Sequence, residues 1–332
     1  MKKRWKVLLC GYYGQGNLGD ELLASAAISL LEKCGLHDDE MAILSGNPAE
    51  SENSHGIAAV DRWDVRSLLK ALASSETLLL GGGGIFQDTS SARSPWYYWG
   101  IMQAARLLGC RLWAVGQSIG PLNRRVSRRI ASGAFSMCKA VSVRDRRSAR
   151  FLKGNCILSD DLVLSLPESG AVSSRDTFLV NFRPTATGLE HRAAQALSKI
   201  ELPLGMKMAG VALGKEDAAL MKDLADAHGL SLDEVFTPTL EQIDDVFARG
   251  AGAFGMRLHF GVLCLRSAVP CTLVPYAPKV EDFAQRWGGQ LWTEGVLAFP
   301  QEWRCFDELR TVRSRIESDF RACFEKVLDP RV

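Results

Sequence analysis

The sequence predicts an α/β protein with two doubly wound, parallel-sheet domains. Three observations carry this expectation. Short apolar runs alternate with longer amphipathic segments throughout the chain. The alternation breaks once, over Leu166 to Asp176, where Pro, Glu, Ser, Gly and Arg replace the apolar pattern. The 332 residues also suit two cores of roughly 150 residues better than one.

In the first half the runs Lys6 to Cys10, Met41 to Ser45, Thr77 to Leu80, Arg111 to Val115, Ala140 to Val143 and Cys156 to Leu158 read as strands. Helix-period apolar residues place helices at Asp20 to Lys33, Val65 to Ala73, Trp96 to Leu108 and Ser127 to Met137. Beyond the break, strands are expected at Thr177 to Phe182, Gly205 to Ala212, Val235 to Thr237, Ala251 to Phe254 and Thr272 to Pro275. A helix fits Glu216 to His228, and Phe306 to Val327 reads as a long amphipathic helix that closes the chain. The domains are therefore expected over residues 1–166 and 177–310, with a linker at 167–176 and a closing helical segment at 311–332, which the N-terminal domain could receive.

Composition narrows the function classes. Hydrophobic residues at 47% and charged residues at 23% belong to a compact globular chain, not a disordered one. The run Val7 to Cys10 is too short for a signal-peptide core, and no apolar stretch nears the roughly 20 residues that span a bilayer. Nine cysteines, an odd number without a C-x-x-C pair, fit reduced thiols in a cytoplasmic setting. A formal charge of +2 gives no bulk attraction to nucleic acid. Yet residues 124–153 hold ten Lys and Arg side chains with Asp145 as the only acid. That stretch is either a solvated helix face or an attraction for anionic lipid or phosphate, which would bring the protein to the inner membrane surface peripherally.

Three glycine-rich turns follow expected strands. The first, Gly11-Tyr-Tyr-Gly14-Gln-Gly16-Asn17-Leu-Gly19-Asp20-Glu21, contains a literal G-x-G-x-x-G that opens a helix. Asp20 and Glu21 put two negative charges at that helix start, where a pyrophosphate would be repelled. They are either helix-capping carboxylates or groups that bind or deprotonate a sugar hydroxyl. The second is Gly81-Gly82-Gly83-Gly84-Ile-Phe-Gln87-Asp88, whose open backbone would admit a ligand, with Gln87 and Asp88 able to contact sugar hydroxyls. The third is Gly116-Gln117-Ser-Ile-Gly120-Pro121. Three such turns on one edge predict a cleft.

In the second half, Gly255-Met-Arg257-Leu-His259-Phe-Gly261 places a guanidinium and an imidazole at a helix start, where cations are unfavourable without an anion. A bound anion is the simplest compensation, and ordinary surface contacts are the plainer reading. Pro275-Tyr276-Ala277-Pro278-Lys279-Val280 reads as a rigid loop that projects Lys279 beside the same sheet edge. No metal-ligand cluster is visible, so activity is expected to survive chelation.

Together, Gly-Tyr-Tyr-Gly-x-Gly-Asn-x-Gly-Asp-Glu near the start, the glycine cluster ending in Gln-Asp, Val141-Ser-Val-Arg144-Asp145, Gly255-Met-Arg-Leu-His259 and Tyr276-x-Pro-Lys279-Val280 resemble the polysaccharide pyruvyl transferase family. The likeness is greatest to the branch that modifies secondary cell-wall polysaccharide so that surface-layer proteins can dock. Ala277 departs from the pattern, where Asp is expected. The resemblance implies two Rossmann-like domains in a GT-B-like arrangement facing a cleft, the acceptor held mainly by the first and the donor near the second. It implies phosphoenolpyruvate as donor, a lipid-linked sugar as acceptor and no cofactor.

Phosphoenolpyruvate concentrates a phosphate and a carboxylate on three carbons, so its site needs several fixed cations. Arg144, Arg257 and Lys279 are the candidates. His259 is the candidate acid for protonating the enol carbon, because imidazole titrates near neutrality. Asp20 or Glu21 is the candidate base, with Asp88 behind them, and Gly14, Asn17, Gly82, Gly83, Gln87, Asp88 and Gln117 are expected on the acceptor side. The rival readings are a glycosyltransferase using a nucleotide sugar, which the spacing of Glu294 and Glu302 faintly suggests, and a non-catalytic sugar- or nucleotide-binding protein.

Overall fold

The computed structural model describes residues 3–89, 91–167 and 175–328. Most of the expected linker, 168–174, lies outside the described residues. By its contacts the chain divides into two units: Met1–Gln15, Asp20–Leu166 and Thr311–Val332 form the first, Gly16–Gly19 and Pro167–Arg310 the second.

The first unit begins with β1 (Trp5–Cys10), α1 (Leu18–Lys33), β2 (Met41–Ser45) and α2 (Pro48–His55). β3 (Ala58–Asp61), α3 (Val65–Ala73), β4 (Ser75–Phe86) and α4 (Ser94–Leu107) follow. β5 (Arg111–Ile119), α5 (Arg125–Ser136), β6 (Ala140–Val143), α6 (Arg146–Phe151) and β7 (Ile157–Leu158) complete the run. The seven strands form one sheet in the order β3-β2-β1-β4-β5-β6-β7, and every pairing is parallel. Helices cover both faces, so the central strands are continuous apolar runs; all five residues of β2 are buried.

On one face Ala71 and Leu72 of α3, Tyr98, Ile101, Met102 and Ala105 of α4, and Ala131, Ala134 and Phe135 of α5 share a core with Leu8, Leu78, Leu80 and Leu112. Alternation along β5 sends Trp113 to the opposite face, where it packs on Phe320, ring centroids 5.4 Å apart. Phe320 belongs to the last helix of the chain, which is therefore fixed to this unit by a large aromatic contact.

The second unit holds β8 (Thr177–Asn181), α7 (Leu189–Leu197), β9 (Lys207–Val211), α8 (Asp217–His228), β10 (Glu234–Phe236) and α9 (Ile243–Ala248). β11 (Gly250–Gly255), α10 (Leu258–Arg266), β12 (Cys271–Leu273), α11 (Pro278–Trp287) and β13 (Gln290–Leu291) follow, and α12 (Leu309–Leu328) ends the described chain. Its six strands pair in parallel in the order β10-β9-β8-β11-β12-β13. Phe178, Val180 and Phe254 anchor a core with Ala193, Leu197, Met221 and Leu224.

All nine cysteines carry free thiols. Among the described residues no helix is long and apolar enough to cross a membrane.

Candidate functional site

Parallel pairing brings the carboxyl ends of β8, β9, β11 and β12 to one edge of the second sheet, the edge at which open α/β sheets bind ligands. Arg183, Lys215, Arg257, His259, Tyr276 and Lys279 all lie within eight residues or fewer past those ends. Asn181, the buried last residue of β8, organises the edge: its Oδ1 accepts from the Arg257 backbone N–H at 3.0 Å and its Nδ2 donates to Val211 O at 2.8 Å.

Arg257 stands at the N-cap of α10 in an extended conformation and gives no side-chain cap. The anion expected to offset this cation is present in the chain itself. Arg257 donates from Nε to Asp217 Oδ2 and from Nη2 to Asp217 Oδ1, both at 2.6 Å, a bidentate fork. Asp217 is fully buried at the start of α8 and its Oδ2 also accepts from the Leu213 and Gly214 N–H groups, at 3.1 and 3.0 Å. Its several donors explain how a carboxylate survives burial there.

Tyr276 reports the field at this edge. Arg183 lies over its ring at 4.6 Å and donates from Nη1 to its hydroxyl at 3.1 Å. Burial would raise the phenol, but Lys279, Arg183 and Arg257 together outweigh it and hold its pKa below the ordinary value. Three basic side chains from three different turns therefore act on one point.

The loop Gly16–Gly19 completes this edge within the same unit. Leu18 N–H donates to Leu213 O at 2.8 Å, Asn17 pairs with Gly214 in an antiparallel bridge, and Gly19 N–H donates to Asn17 Oδ1 at 3.2 Å. The Lys215 side chain passes over Gly16. Gly19 faces the His259 ring so closely that a Cβ there would collide with Nδ1 and with Cγ, the latter at 2.7 Å. Of the residues singled out in the sequence, the structure brings Asn17, Arg257, His259 and Lys279 together here.

The remaining candidates lie in the first unit, and most are committed to its architecture. Gly81 to Gly84 form no open turn: β4 continues through them to Phe86, with Gly82 and Gly83 at φ +79° and +90°. The missing side chains let α1 approach, since a Cβ on Gly83 would stand 3.1 Å from Asp20 Oδ1 and one on Gly82 3.0 Å from Leu23. Gln117 is likewise inside β5, fully buried, with Nε2 donating to Leu80 O at 3.0 Å and Val115 O at 3.2 Å. Gln87 accepts from the Thr89 backbone and hydroxyl. Glu21 accepts from Gly14 N–H at 2.8 Å and meets His55 Nε2 at 3.1 Å. Arg144 forms a buried ion pair with Asp161.

Asp88 serves the start of α5. Its two carboxylate oxygens accept from the Asn123 and Arg124 N–H groups at 2.7 and 2.9 Å. Burial alone would raise its carboxyl, but these bonds, the Ser127 hydroxyl and the Arg124 charge hold it below the ordinary value. A folded pKa below the unfolded one stabilises the fold above the unfolded value, about 3.9, and the contribution vanishes as pH falls through the folded value. Asp88→Ala should cost about 2 kcal/mol at neutral pH, read by urea denaturation, and the deficit should shrink in acid.

The model of the polysaccharide pyruvyl transferase family matches residues 17–278. The chain belongs to that family. Among curated proteins none matches it in sequence. Solved structures share the fold of this transferase at low identity. Anabaena Alr3699/HepE, determined with UDP and glucose, is 12% identical with a TM-score of 0.57, covering 98% of this chain and 96% of its own. The UDP-GlcNAc 2-epimerase of Methanocaldococcus jannaschii is 8% identical with a TM-score of 0.59 over 100% and 94%. That of Neisseria meningitidis, bound to UDP-GlcNAc, is 9% identical with a TM-score of 0.56 over 95% and 94%. The fold is the GT-B-like one expected, with two parallel α/β domains and a C-terminal helix.

In this transferase the departure at Ala277 acquires a physical meaning. Residue 277 is the N-cap of α11, Pro278 is its first residue and Lys279 its second, so the expected rigid loop is a helix start. Alanine leaves the end without a side-chain cap. Ala277→Asp should raise stability by about 1 kcal/mol, measured as a shift in denaturation midpoint.

Sequence reasoning missed Asp217 and Arg183, and gave Tyr276 a place in a motif but no role. Each sits just past a strand end or at a helix start, which is the signal available for them. Of the Glu294 and Glu302 pair, Glu294 is exposed and bound to Arg192 at 2.6 Å. Among the described residues no group of three or more His, Cys, Asp or Glu side chains could hold a metal ion.

Proposed function

We propose that the chain transfers a pyruvyl group from phosphoenolpyruvate to two hydroxyls of a sugar in a polysaccharide precursor, forming a ketal and releasing phosphate. The observation that carries this reading is the convergence of Arg183, Arg257 and Lys279 on Tyr276, at the sheet edge that also bears His259. A three-carbon donor with two anionic groups is a small ligand of the kind such a cluster would neutralise. Arg183, Lys279 and the N–H groups at the start of α10 are assigned to the phosphate and carboxylate, with Arg257 oriented by Asp217.

His259 is assigned as the acid. It delivers a proton to the methylene carbon, which becomes a methyl group and leaves an oxocarbenium centre at the neighbouring carbon. One sugar hydroxyl attacks there and loses its proton. The C–O bond to phosphate then breaks, and the second hydroxyl closes the ketal and loses its proton in turn. Asp20 or Glu21, at the start of α1, is assigned as the carboxylate that assists deprotonation. The family resemblance favours a lipid-linked cell-wall acceptor, modified in the cytoplasm and later used to anchor surface-layer proteins.

Incubation of the protein with phosphoenolpyruvate and candidate lipid-linked disaccharides should yield a product heavier by one pyruvyl ketal, with equimolar phosphate. Arg183→Ala should weaken phosphoenolpyruvate binding about 10- to 100-fold by calorimetry, the worth of a charged hydrogen bond. Binding of UDP-GlcNAc without any affinity for phosphoenolpyruvate would instead favour a nucleotide-sugar enzyme, the ligand class present in the structurally similar epimerase from Neisseria meningitidis.

A further inference from the structure

The layer made by α3, α4 and α5 over the first sheet is chemically one-sided. These three helices contain Arg66, Lys70, Arg106, Arg125, Arg128 and Arg129 and no acidic residue. On the opposite face α12 mixes signs, with Glu317, Asp319 and Glu325 among its basic residues. The same layer exposes large apolar side chains: Trp63, 60% exposed, and Leu69 beside or on α3, Trp96 and Leu107, the latter 86% exposed, on α4, and Val126 on α5. The inward faces of these helices are used in the core, whereas Trp63 and Trp96 only rest on the rim residues Tyr97 and Trp99, with ring centroids 5.5 and 6.1 Å apart, and stay largely exposed.

We infer that this layer docks the protein onto the surface of an anionic lipid bilayer. Tryptophan favours the headgroup boundary, exposed aliphatic side chains gain by leaving water, and a layer in which arginine and lysine outnumber the capping carboxylates Asp64 and Asp88 is attracted to anionic headgroups. Nucleic acid would use the charge but leave the exposed leucine and valine side chains in water. The inference concerns the partner of a surface of the first unit and stands or falls separately from the donor assignment.

Vesicle flotation of the whole protein tests it. Binding to phosphatidylglycerol vesicles should exceed binding to phosphatidylcholine vesicles and decline as salt rises. Each arginine at such a surface is worth about fivefold in partition, so Arg66→Gln/Arg125→Gln/Arg129→Gln should bind about a hundredfold more weakly. Trp63→Ser/Trp96→Ser should also reduce binding and remove the vesicle-induced fluorescence shift. The control Lys199→Gln/Lys222→Gln, which neutralises exposed lysines of the second unit, should bind like the wild type. Equal binding to both vesicle types, no binding, or a triple variant that folds normally and binds undiminished would overturn the inference. So would tight DNA binding without lipid binding.

Discussion

Asp217→Ala should lower the stability of the second unit by about 3 kcal/mol or more, the largest single loss expected from any substitution at the sheet edge. Removing this carboxylate leaves the Arg257 guanidinium without its bidentate partner and the Leu213 and Gly214 N–H groups without this acceptor, while Asn181 Nδ2 loses a 3.4 Å contact and keeps Val211 O. The arginine retains 18% side-chain exposure, so water recovers part of the cost and the lower end of the 3–5 kcal/mol range applies. Denaturant midpoints would measure it, and a deficit under about 1 kcal/mol would contradict the role given to the pair. Asp217→Leu combined with Arg257→Met should recover part of the loss, because no charge then remains buried alone.

His259→Gln should reduce turnover about a hundredfold or more while phosphoenolpyruvate affinity, read by calorimetry, stays within a few-fold of the wild type. Glutamine keeps hydrogen-bonding capacity but cannot deliver a proton to carbon. Gly19→Ala offers an independent probe of the same group, since its new methyl must displace the imidazole against which Gly19 rests. Turnover retained in His259→Gln would remove the imidazole from the chemistry.

The strands with continuous apolar runs were legible from the sequence. Met41 to Ser45, Ala140 to Val143 and the helix Val65 to Ala73 are found at the expected residues because burial on both sheet faces, or on one helix face, dictates their side chains. The edge strands Ala58–Asp61 and Gln290–Leu291 were not. Each is short and only partly buried, so neither run nor alternation marks it. The glycine run misled in one respect: lost side chains can open a backbone to a ligand or admit a neighbouring helix, and Gly82 and Gly83 do the latter.

At the candidate site Arg257, His259 and Lys279 could be found because basic residues at strand ends stand out. Asp217 could not, since an isolated acid at a helix start is ordinary in sequence. Its significance depends on a contact with a residue forty positions away. Asp88, Gln117 and Arg144 carry the opposite lesson: polar residues beside strand ends can be consumed by backbone and ion-pair duties that only three-dimensional structure reveals.

The assignment of Gly16–Gly19 to the second unit makes the two halves poor candidates for exchange by recombination. A crossover placed at residue 167 would join a foreign C-terminal half to a native Leu18 and Asn17 that must still fit its Leu213 and Gly214 equivalents. Chimaeras between distant relatives should therefore work only when residues 16–19 travel with the distal segment while β1 before them stays with the first sheet, so the chain is inherited as one piece even though it folds around two cores.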